Sequence, residues 1–180
     1  DQKQLAADLV TRVGLEADCI TRYPHQFSGG QRQRLCIARA LSVRPKLIVA
    51  DEAVSALDVS IARQVTDLML DLQQREGMAF LFISHDIAVV ERVSHRIAVM
   101  YGGEIVEMGA TADILARPQH SYTRRLLAAV PSGKPGENRK DGRLREAVAP
   151  KLAFTRPGER LDQLPLVEVL PGHFVRAEAA

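Results

Sequence analysis

Apolar positions recur with helical spacing in several stretches of the chain. In the first, residues 4–13, apolar side chains share one helical face and Gly14 follows as a helix stop. The same spacing predicts five further helices along the chain, at 28–42, 60–76, 87–93, 111–116 and 122–130.

Other stretches are apolar without a helical period. Residues 47–50 and 79–83 are short apolar runs followed directly by polar residues, a pattern typical of parallel strands buried on both faces. A pair of glycines separates two further stretches and predicts a hairpin over 97–101 and 104–108. Because these strands alternate with helices, the pattern predicts an α/β fold with a parallel sheet at its core.

Composition excludes several classes of protein. Of 180 residues, 46% are hydrophobic and 26% are charged, which is ordinary for a globular chain and excludes disorder throughout. No apolar run approaches the roughly 18 residues of a membrane span. The net charge is +2 and no basic stripe interleaves with aromatics, so we expect no nucleic-acid partner. Two cysteines make no disulfide framework, which favours a reducing compartment, and we expect Cys36 to be a buried, inert thiol.

The composition changes at residue 132. Residues 132–180 carry five of the nine prolines and five of the twelve glycines. This predicts a flexible linker over 132–150. Apolar residues at 164–169 predict a terminal strand after it.

A Ser-Gly-Gly-Gln run opens the helix predicted at 28–42. The first backbone N–H groups of a helix have no partner within it and lie at the positive end of its dipole. Gly29 and Gly30 would let a phosphate approach that backbone closely, and Ser28 adds a hydroxyl donor. Ser28 is also a favoured helix cap, so a phosphate site and a simple cap both stay open.

Two carboxylates, Asp51 and Glu52, directly follow the apolar run at 47–50. In open α/β sheets, ligands collect at the carboxyl ends of the strands. One carboxylate there can hold a hydrated Mg²⁺, and its neighbour can orient and deprotonate a water molecule. The alternative is a pair of solvated charges at a strand end.

Two more polar runs complete the candidate chemistry. Ser55-Ala56-Leu57-Asp58 precedes the helix at 60–76, and Ser84-His85-Asp86 follows the run at 79–83. A histidine at a strand end can reach a phosphate oxygen. Each run, taken alone, is also explained as a polar turn that caps the next helix.

In this order and spacing, the motifs resemble the ATP-binding subunits of ABC transporters. The ABC signature, the Walker B strand with its following glutamate, the D-loop and the switch histidine correspond to residues 27–34, 47–52, 55–58 and His85. Three runs are similar to the oligopeptide/dipeptide importer branch, at 23–26, 118–123 and 171–174. One departure is Ala53-Val54, where the family commonly has Pro-Thr.

The resemblance implies a partial P-loop NTPase fold of the ABC type. No Gly-x-x-x-x-Gly-Lys-Ser/Thr phosphate loop occurs in these 180 residues, so we expect that half of the domain upstream. Residues 1–45 would be the end of the helical subdomain with the signature, and 46–131 part of the RecA-like catalytic core. Residues 132–180 would be a Pro/Gly-rich linker and tail.

The resemblance also assigns roles to individual residues. Two such domains, identical or different, would close around two ATP molecules. The γ-phosphate of ATP held by the partner subunit would contact the signature through Ser28, Gly29, Gly30 and Gln31. In the chain's own site, Asp51 would hold Mg²⁺ through water, Glu52 would polarise the attacking water and His85 would bind the γ-phosphate. Asp58 would bridge the dimer interface.

The resemblance therefore implies an ATPase subunit of an importer at the cytoplasmic face of the cell membrane. Its branch of the family points to peptides, and nickel, glutathione and sugars stay open as other substrates. Its partners would be a second ATPase subunit, membrane permease subunits and, indirectly, a substrate-binding protein. Two alternatives stay open. The chain could act only as an interaction module that supplies the signature in trans, because without a phosphate loop we expect it to bind ATP poorly and to be inactive alone. It could also belong to a soluble ABC ATPase acting on DNA or ribosomes, against which the missing basic stripe and coiled-coil heptads count.

Overall fold

The computed structural model describes residues 1–129 and 164–177, and these form two compact units. The first unit comprises residues 1–93, and the second begins at Ser94. The C-terminal end of the helix predicted at 122–130 and the linker predicted at 132–150 lie outside the described residues.

The first unit alternates helices with two strands. Its elements, in chain order, are α1 (Gln2–Arg12), α2 (Gly29–Leu41), β1 (Leu47–Asp51), α3 (Val59–Glu76), β2 (Ala79–Ile83) and α4 (Ile87–Val93). Two short 3₁₀ turns connect α1 to α2, at Ala17–Thr21 and Pro24–Gln26. Gly77 ends α3 in the left-handed conformation common at helix ends, with φ of 63°.

The two strands of the first unit pair in parallel, as the sequence predicts. The register runs from Leu47 opposite Ala79 to Asp51 opposite Ile83, so both strands end at the same level. The segments that follow Asp51 and Ile83 therefore leave the sheet side by side. This is the geometric basis of the candidate site.

The prediction that both strands are buried on both faces is wrong. One face of each strand packs with the core that includes Val65, Met69 and Leu72 of α3. The alternating side chains on the other face are about half-exposed, at 47–56%, namely Leu47, Val49, Leu81 and Ile83. In this unit the core packs against only one face of the two-stranded sheet. An apolar run in the sequence does not indicate which of its two faces will be covered. We call these four residues the open apolar face.

The second unit is built on an antiparallel sheet. Its elements are β3 (Arg96–Tyr101), β4 (Glu104–Ala110), α5 (Thr111–Ala116), α6 (Ser121–Ala128), β5 (Leu166–Leu170) and β6 (His173–Arg176), with the strands in the order β3-β4-β6-β5. The predicted hairpin is confirmed as β3 and β4. The predicted terminal strand is β5, displaced by about one to two residues, but β6 was missed. Its four residues have polar ends and show no apolar alternation, so only the pairing with β4 and β5 identifies β6 as a strand.

A fully buried polar pair lies inside the second unit. The Glu107 side chain of β4 and the His173 side chain of β6 are both 0% exposed, with 2.7 Å between Oε1 and Nε2. The Glu107 carboxylate also accepts the backbone N–H groups of Gln119 and His120, at 2.8 and 3.0 Å. One carboxylate thus joins β4, β6 and the turn before α6.

Burial and hydrogen bonding act in opposite directions on Glu107. Burial by itself raises the pKa of the carboxyl, whereas the nearby Thr123 hydroxyl and the hydrogen bonds from the two backbone N–H groups and the His173 imidazole lower it. The hydrogen bonds prevail, so the pKa of Glu107 lies below its ordinary value. The carboxylate is therefore the form that the folded unit stabilises.

Two further expectations concern membranes and thiols. Among the residues that the structure describes, no helix combines the length and the apolar character that crossing a bilayer requires. The expectation for Cys36 is wrong, because its side chain is exposed on α2, whereas Cys19 is buried. Burial also raises the pKa of the Cys19 thiol.

Candidate functional site

The candidate site lies at the carboxyl ends of β1 and β2. Asp51 is the last residue of β1, and Glu52 follows it. The backbone N–H of Glu52 donates to the carbonyl of Ile83 at 2.9 Å. That bond extends the strand pairing by one step beyond β1. His85 follows β2 after one residue, Ser84. The sheet register thus brings two sequence motifs 33 residues apart to one edge.

Glu52 and His85 are in direct contact. The distance between Glu52 Oε1 and His85 Nδ1 is 3.0 Å, and both side chains are exposed to solvent. The hydrogen bond to the Glu52 carboxylate, together with its negative charge, raises the pKa of His85 above the ordinary value of a histidine. The pair can orient a water molecule through the carboxylate and still present the second imidazole nitrogen, Nε2, to a ligand.

The contact makes a prediction about the titration of His85. Replacing Glu52 with glutamine keeps an oxygen near Nδ1 but removes the charge, so we expect the pKa of His85 to fall towards its ordinary value. Because the carboxylate favours the imidazolium, the contact stabilises the fold at low pH and loses this effect as pH rises through the raised pKa. NMR titration of the His85 ring measures the shift. Glu91→Gln, at an exposed residue of α4, is the matched control, and an unchanged His85 titration in Glu52→Gln would contradict the contact.

Asp51 is exposed, and none of its carboxylate oxygens has a hydrogen bond or ion pair within residues 1–129 or 164–177. A free carboxylate at a strand end fits a hydrated Mg²⁺, which takes one or two protein carboxylates and keeps several waters. Over the described ranges no group of three or more His, Cys, Asp or Glu side chains comes together as potential metal ligands. The donor set fits a metal ion shared with a phosphate.

The Ser-Gly-Gly-Gln run forms the start of α2. The Ser28 hydroxyl accepts the backbone N–H of Gln31 at 3.3 Å, and the Gln31 side chain accepts the backbone N–H of Ser28 at 2.9 Å. This reciprocal capping box shows that Ser28 caps the helix, which is one of the two explanations that the sequence left open. It leaves the N–H groups of Gly29 and Gly30, in the first turn, without partners in the helix.

Both glycines of the run pack against the segment that begins α3. A Cβ on Gly30 would lie 2.4 Å from Ile61 Cγ2, and one on Gly29 would lie 3.2 Å from Leu57 Cδ2. Gly30 is buried, so its lack of a side chain is required by the neighbouring helix, whatever approaches its backbone. The start of α2 and the loop before α3 are thereby held in contact.

A substitution at Gly30 tests this packing. We expect Gly30→Ala to destabilise the first unit by roughly 1–3 kcal/mol through overpacking. Ile61→Ala removes the clashing methyl and leaves Ile61 Cβ at 3.9 Å, so the loss should be smaller in the double variant. Urea unfolding, monitored by circular dichroism, measures the free energy of unfolding of each variant. Ile61→Val keeps Cγ2 and should give no relief; equal losses for Gly30→Ala in all three backgrounds would refute the packing explanation.

Asp58 caps α3. Its Oδ1 accepts the backbone N–H of Ile61 at 3.2 Å and the Ser60 hydroxyl at 2.9 Å. Asp86 caps α4 in the same way, with its Oδ1 accepting the N–H of Ala88 at 2.9 Å. The capping explanations of both polar turns are therefore correct, and they do not preclude a role in binding because both caps are exposed.

The predicted residues form two groups within the first unit. Asp51, Glu52 and His85 share the strand-end edge, whereas Ser28, Gly29, Gly30 and Gln31 form the helix start beside the Leu57–Ile61 segment. Among the described residues no hydrogen bond joins the two groups. Sequence reasoning named the run that begins at Ser55 but missed that the Ser55 hydroxyl donates to the Glu52 carbonyl at 2.9 Å. Only the three-residue spacing, compatible with a serine turn, could have indicated it.

Comparison with known families identifies the fold that this site belongs to. A profile of ABC transporters matches residues 1–55. A profile of the C-terminal region of oligopeptide/dipeptide transporters matches residues 106–158. The chain belongs to the ABC transporter family. The resemblance drawn from the signature, Walker B, D-loop and switch motifs is thereby confirmed, as is its branch.

Related proteins agree with this assignment. The chain is 54% identical over 177 residues to the glutathione import ATP-binding protein GsiA of Pectobacterium atrosepticum, a match that covers 97% of this chain. It is 55% identical over 175 residues to the GsiA protein of Escherichia coli strain K12. The chain spans 28% of the length of each of these relatives.

A solved ABC cassette shares the fold. The ADP conformation of MJ1267, an ATP-binding cassette of an ABC transporter, superposes with a TM-score of 0.62 at 24% identity, covering 72% of this chain and 51% of that one. The predicted α/β class with a parallel sheet is confirmed by this likeness and by the pairing of β1 with β2.

Proposed function

We propose that this chain supplies part of the ATP-hydrolysing machinery of an ABC importer for glutathione or another short peptide. The carrying observation is the contact between Glu52 and His85 at the carboxyl ends of two parallel strands. A carboxylate that can take a proton from water, beside an imidazole that can bind a phosphate oxygen, fits hydrolysis of a terminal phosphate. The open apolar face supports the same view, because a complete ATPase domain would cover it with further elements.

In this proposal three residues of the chain act at one nucleotide, each with a different role. Glu52 orients the attacking water and accepts its proton. His85, whose Nδ1 is engaged with Glu52, donates from Nε2 to an oxygen of the γ-phosphate. Asp51 would hold Mg²⁺ through a water ligand, and the bound ion would neutralise charge on the phosphate oxygens. Positioning and charge stabilisation supply most of the rate in such reactions.

The signature would serve a second nucleotide, held by a partner subunit. The free N–H groups of Gly29 and Gly30, at the positive end of the α2 dipole, are suited to bind a γ-phosphate, and Ser28 and Gln31 border them. Asp58 lies on the exposed loop that would meet the partner. Another relative supports a dimer: the cassette MJ0796, 31% identical over 60% of this chain with a TM-score of 0.52, was solved as a dimer in a post-hydrolysis state bound to ADP and Pi.

The importer context follows from the branch of the family. The tail profile is that of oligopeptide/dipeptide transporters, and GsiA relatives are glutathione import proteins by name. We therefore place the protein at the cytoplasmic face of the cell membrane, bound to permease subunits that receive a peptide from a separate binding protein. ATP-driven closure of the ATPase dimer would move the permease, because ATP binds the closed state more tightly than the open one.

Transport by the assembled protein tests this function. The full-length protein that contains this chain is reconstituted with its permease in vesicles, and the uptake of labelled glutathione and of a dipeptide is measured with ATP in the presence of the substrate-binding protein. We expect ATP-dependent uptake of at least one of them, competed by the unlabelled peptide and absent with a non-hydrolysable ATP analogue. Free glutamate, cysteine and glycine are the matched controls. ATP hydrolysis without uptake of either peptide would refute the peptide importer.

A further inference from the structure

Glu52 has an unusual backbone conformation. Its φ is 48°, in the left-handed region that residues with a side chain avoid, and among the described non-glycine residues only Arg44 shares this sign. Such a conformation persists only where surrounding contacts enforce it, and it is concentrated at functional sites. At Glu52 it occurs at the residue whose carboxylate contacts His85.

Three hydrogen bonds hold this conformation. On one side the Glu52 N–H donates to the Ile83 carbonyl at 2.9 Å. On the other side the Glu52 carbonyl accepts twice from Ser55, from its backbone N–H at 3.2 Å and from its hydroxyl at 2.9 Å. One end of the residue is thus fixed to β2, and the other to the loop that leads into α3.

The hydrogen bonds to Ser55 determine the direction of the Glu52 side chain. In an extended strand the side chain after Asp51 would simply alternate to the opposite face of the sheet. The left-handed turn at Glu52 interrupts this alternation, and the carboxylate lies 3.0 Å from His85 Nδ1. If the carbonyl of Glu52 were released, the backbone could relax to a commoner φ and the carboxylate would move.

We propose that Ser55 is a positioning residue, whose hydroxyl fixes the left-handed backbone of Glu52 and so aims its carboxylate at the attacking water and at His85. The proposal rests on the proposed role of Glu52 in ATP hydrolysis. In this proposal Ser55 acts on the Glu52 backbone and not on the nucleotide or a metal ion. Its effect passes through one carbonyl oxygen, and it should therefore alter turnover without altering nucleotide affinity.

The test compares Ser55→Ala with Ser55→Thr, which keeps a hydroxyl. In the full-length protein assembled with its permease, we expect Ser55→Ala to lower kcat for ATP about tenfold with KM unchanged, because a misplaced catalytic group loses rate. Ser55→Thr should restore most of the rate. Ser42→Ala is the matched control, because the Ser42 hydroxyl makes the same kind of bond to the carbonyl three residues earlier, at 2.7 Å, and lies outside the site.

A second readout needs neither nucleotide nor a partner subunit. In the 180-residue chain, Ser55→Ala should weaken the contact of Glu52 with His85, so the NMR titration of His85 should move in the direction expected for Glu52→Gln. A role of Ser55 limited to contacts across a dimer would leave this titration unchanged. In the Glu52→Gln background, Ser55→Ala should change neither kcat nor the titration further.

The outcomes separate this proposal from the function on which it rests. If Glu52→Gln abolishes turnover but Ser55→Ala changes neither kcat nor the His85 titration, the positioning role is overturned and the ATPase function stands. If Glu52→Gln leaves turnover intact, the proposed catalytic function fails, while the titration still decides whether Ser55 orients Glu52.

Discussion

Glu52→Gln, in the full-length protein, is expected to lower steady-state ATP turnover about 100-fold or more while ATP binding persists. The amide keeps the size and one oxygen of the side chain but cannot accept a proton from water, and a general base of this kind is worth roughly 10²–10⁴ in rate. Nucleotide affinity should persist because Glu52 acts on water and not on the nucleotide itself. Single-turnover hydrolysis and ATP binding, measured on the same preparation, separate the two effects.

The matched control for this prediction is Glu91→Gln. Glu91 is an exposed glutamate on α4, a few residues after His85, and it belongs to neither group of the candidate site. The Glu91→Gln variant should retain full ATP turnover. Hydrolysis by Glu52→Gln at the rate of this control would show that Glu52 is not the base, and loss of ATP binding by Glu52→Gln would show that the side chain serves the fold or the nucleotide instead.

The buried pair of the second unit should have the largest effect on stability. Glu107→Ala leaves the His173 Nε2 donor and the backbone N–H groups of Gln119 and His120 without an acceptor. Each buried donor left unpaired costs roughly 1–3 kcal/mol, so we expect a loss on the order of 3 kcal/mol or more. Native-state hydrogen exchange of the β6 amides measures the free energy of opening where the loss should occur.

Glu168→Ala provides the comparison for Glu107. Glu168 lies in β5 and accepts the backbone N–H of Gly172 at 2.7 Å, but it is exposed, so water replaces the lost acceptor. Its loss should be about 1 kcal/mol or less. Equal protection of the β6 amides in both variants would contradict a structural role for the buried carboxylate.

The same carboxylate makes the second unit sensitive to acid. Because hydrogen bonds hold the pKa of Glu107 below its ordinary value, its contribution to stability is complete above the pKa of a glutamate in the unfolded chain. The contribution is lost as pH falls through the lowered pKa of the folded state. The protection of the β6 amides should therefore decline on acidification in the wild-type chain, and this dependence should be much weaker in Glu107→Ala.

Much of the first unit could be predicted from local sequence signals. Apolar periodicity predicted α1 to α4 within a few residues, because one face of each helix is buried and a glycine or a capping residue marks its ends. The strands were recognisable as short apolar runs before the polar residues Asp51 and Ser84. Their order along the chain was enough to predict that they would pair in parallel, with their carboxyl ends at one edge.

These local signals could not predict which apolar residues are buried or which distant residues are in contact. The open apolar face has the same sequence character as the covered face, so a list of apolar residues cannot distinguish them. Cys36 was expected to be buried, but helix orientation exposes it. Glu107 stands in a strand and His173 is 66 residues away, so nothing in either local sequence reveals that they form a buried pair.

The sequence by itself determined the residue types of the candidate site, their order and the strand ends that carry them, because these follow from local periodicity and from side-chain chemistry. Only the tertiary structure decided that the Glu52 carboxylate meets His85, that Ser55 holds the left-handed backbone at Glu52, and that Gly30 has no room for a side chain beside Ile61. The first two depend on hydrogen-bond distances of 3.0 and 2.9 Å between groups that folding brings together, and the third on the overlap that a Cβ on Gly30 would have with Ile61 Cγ2. Hydrogen bonds and steric exclusion act only at such range, so the spacing of residues along the sequence cannot specify them.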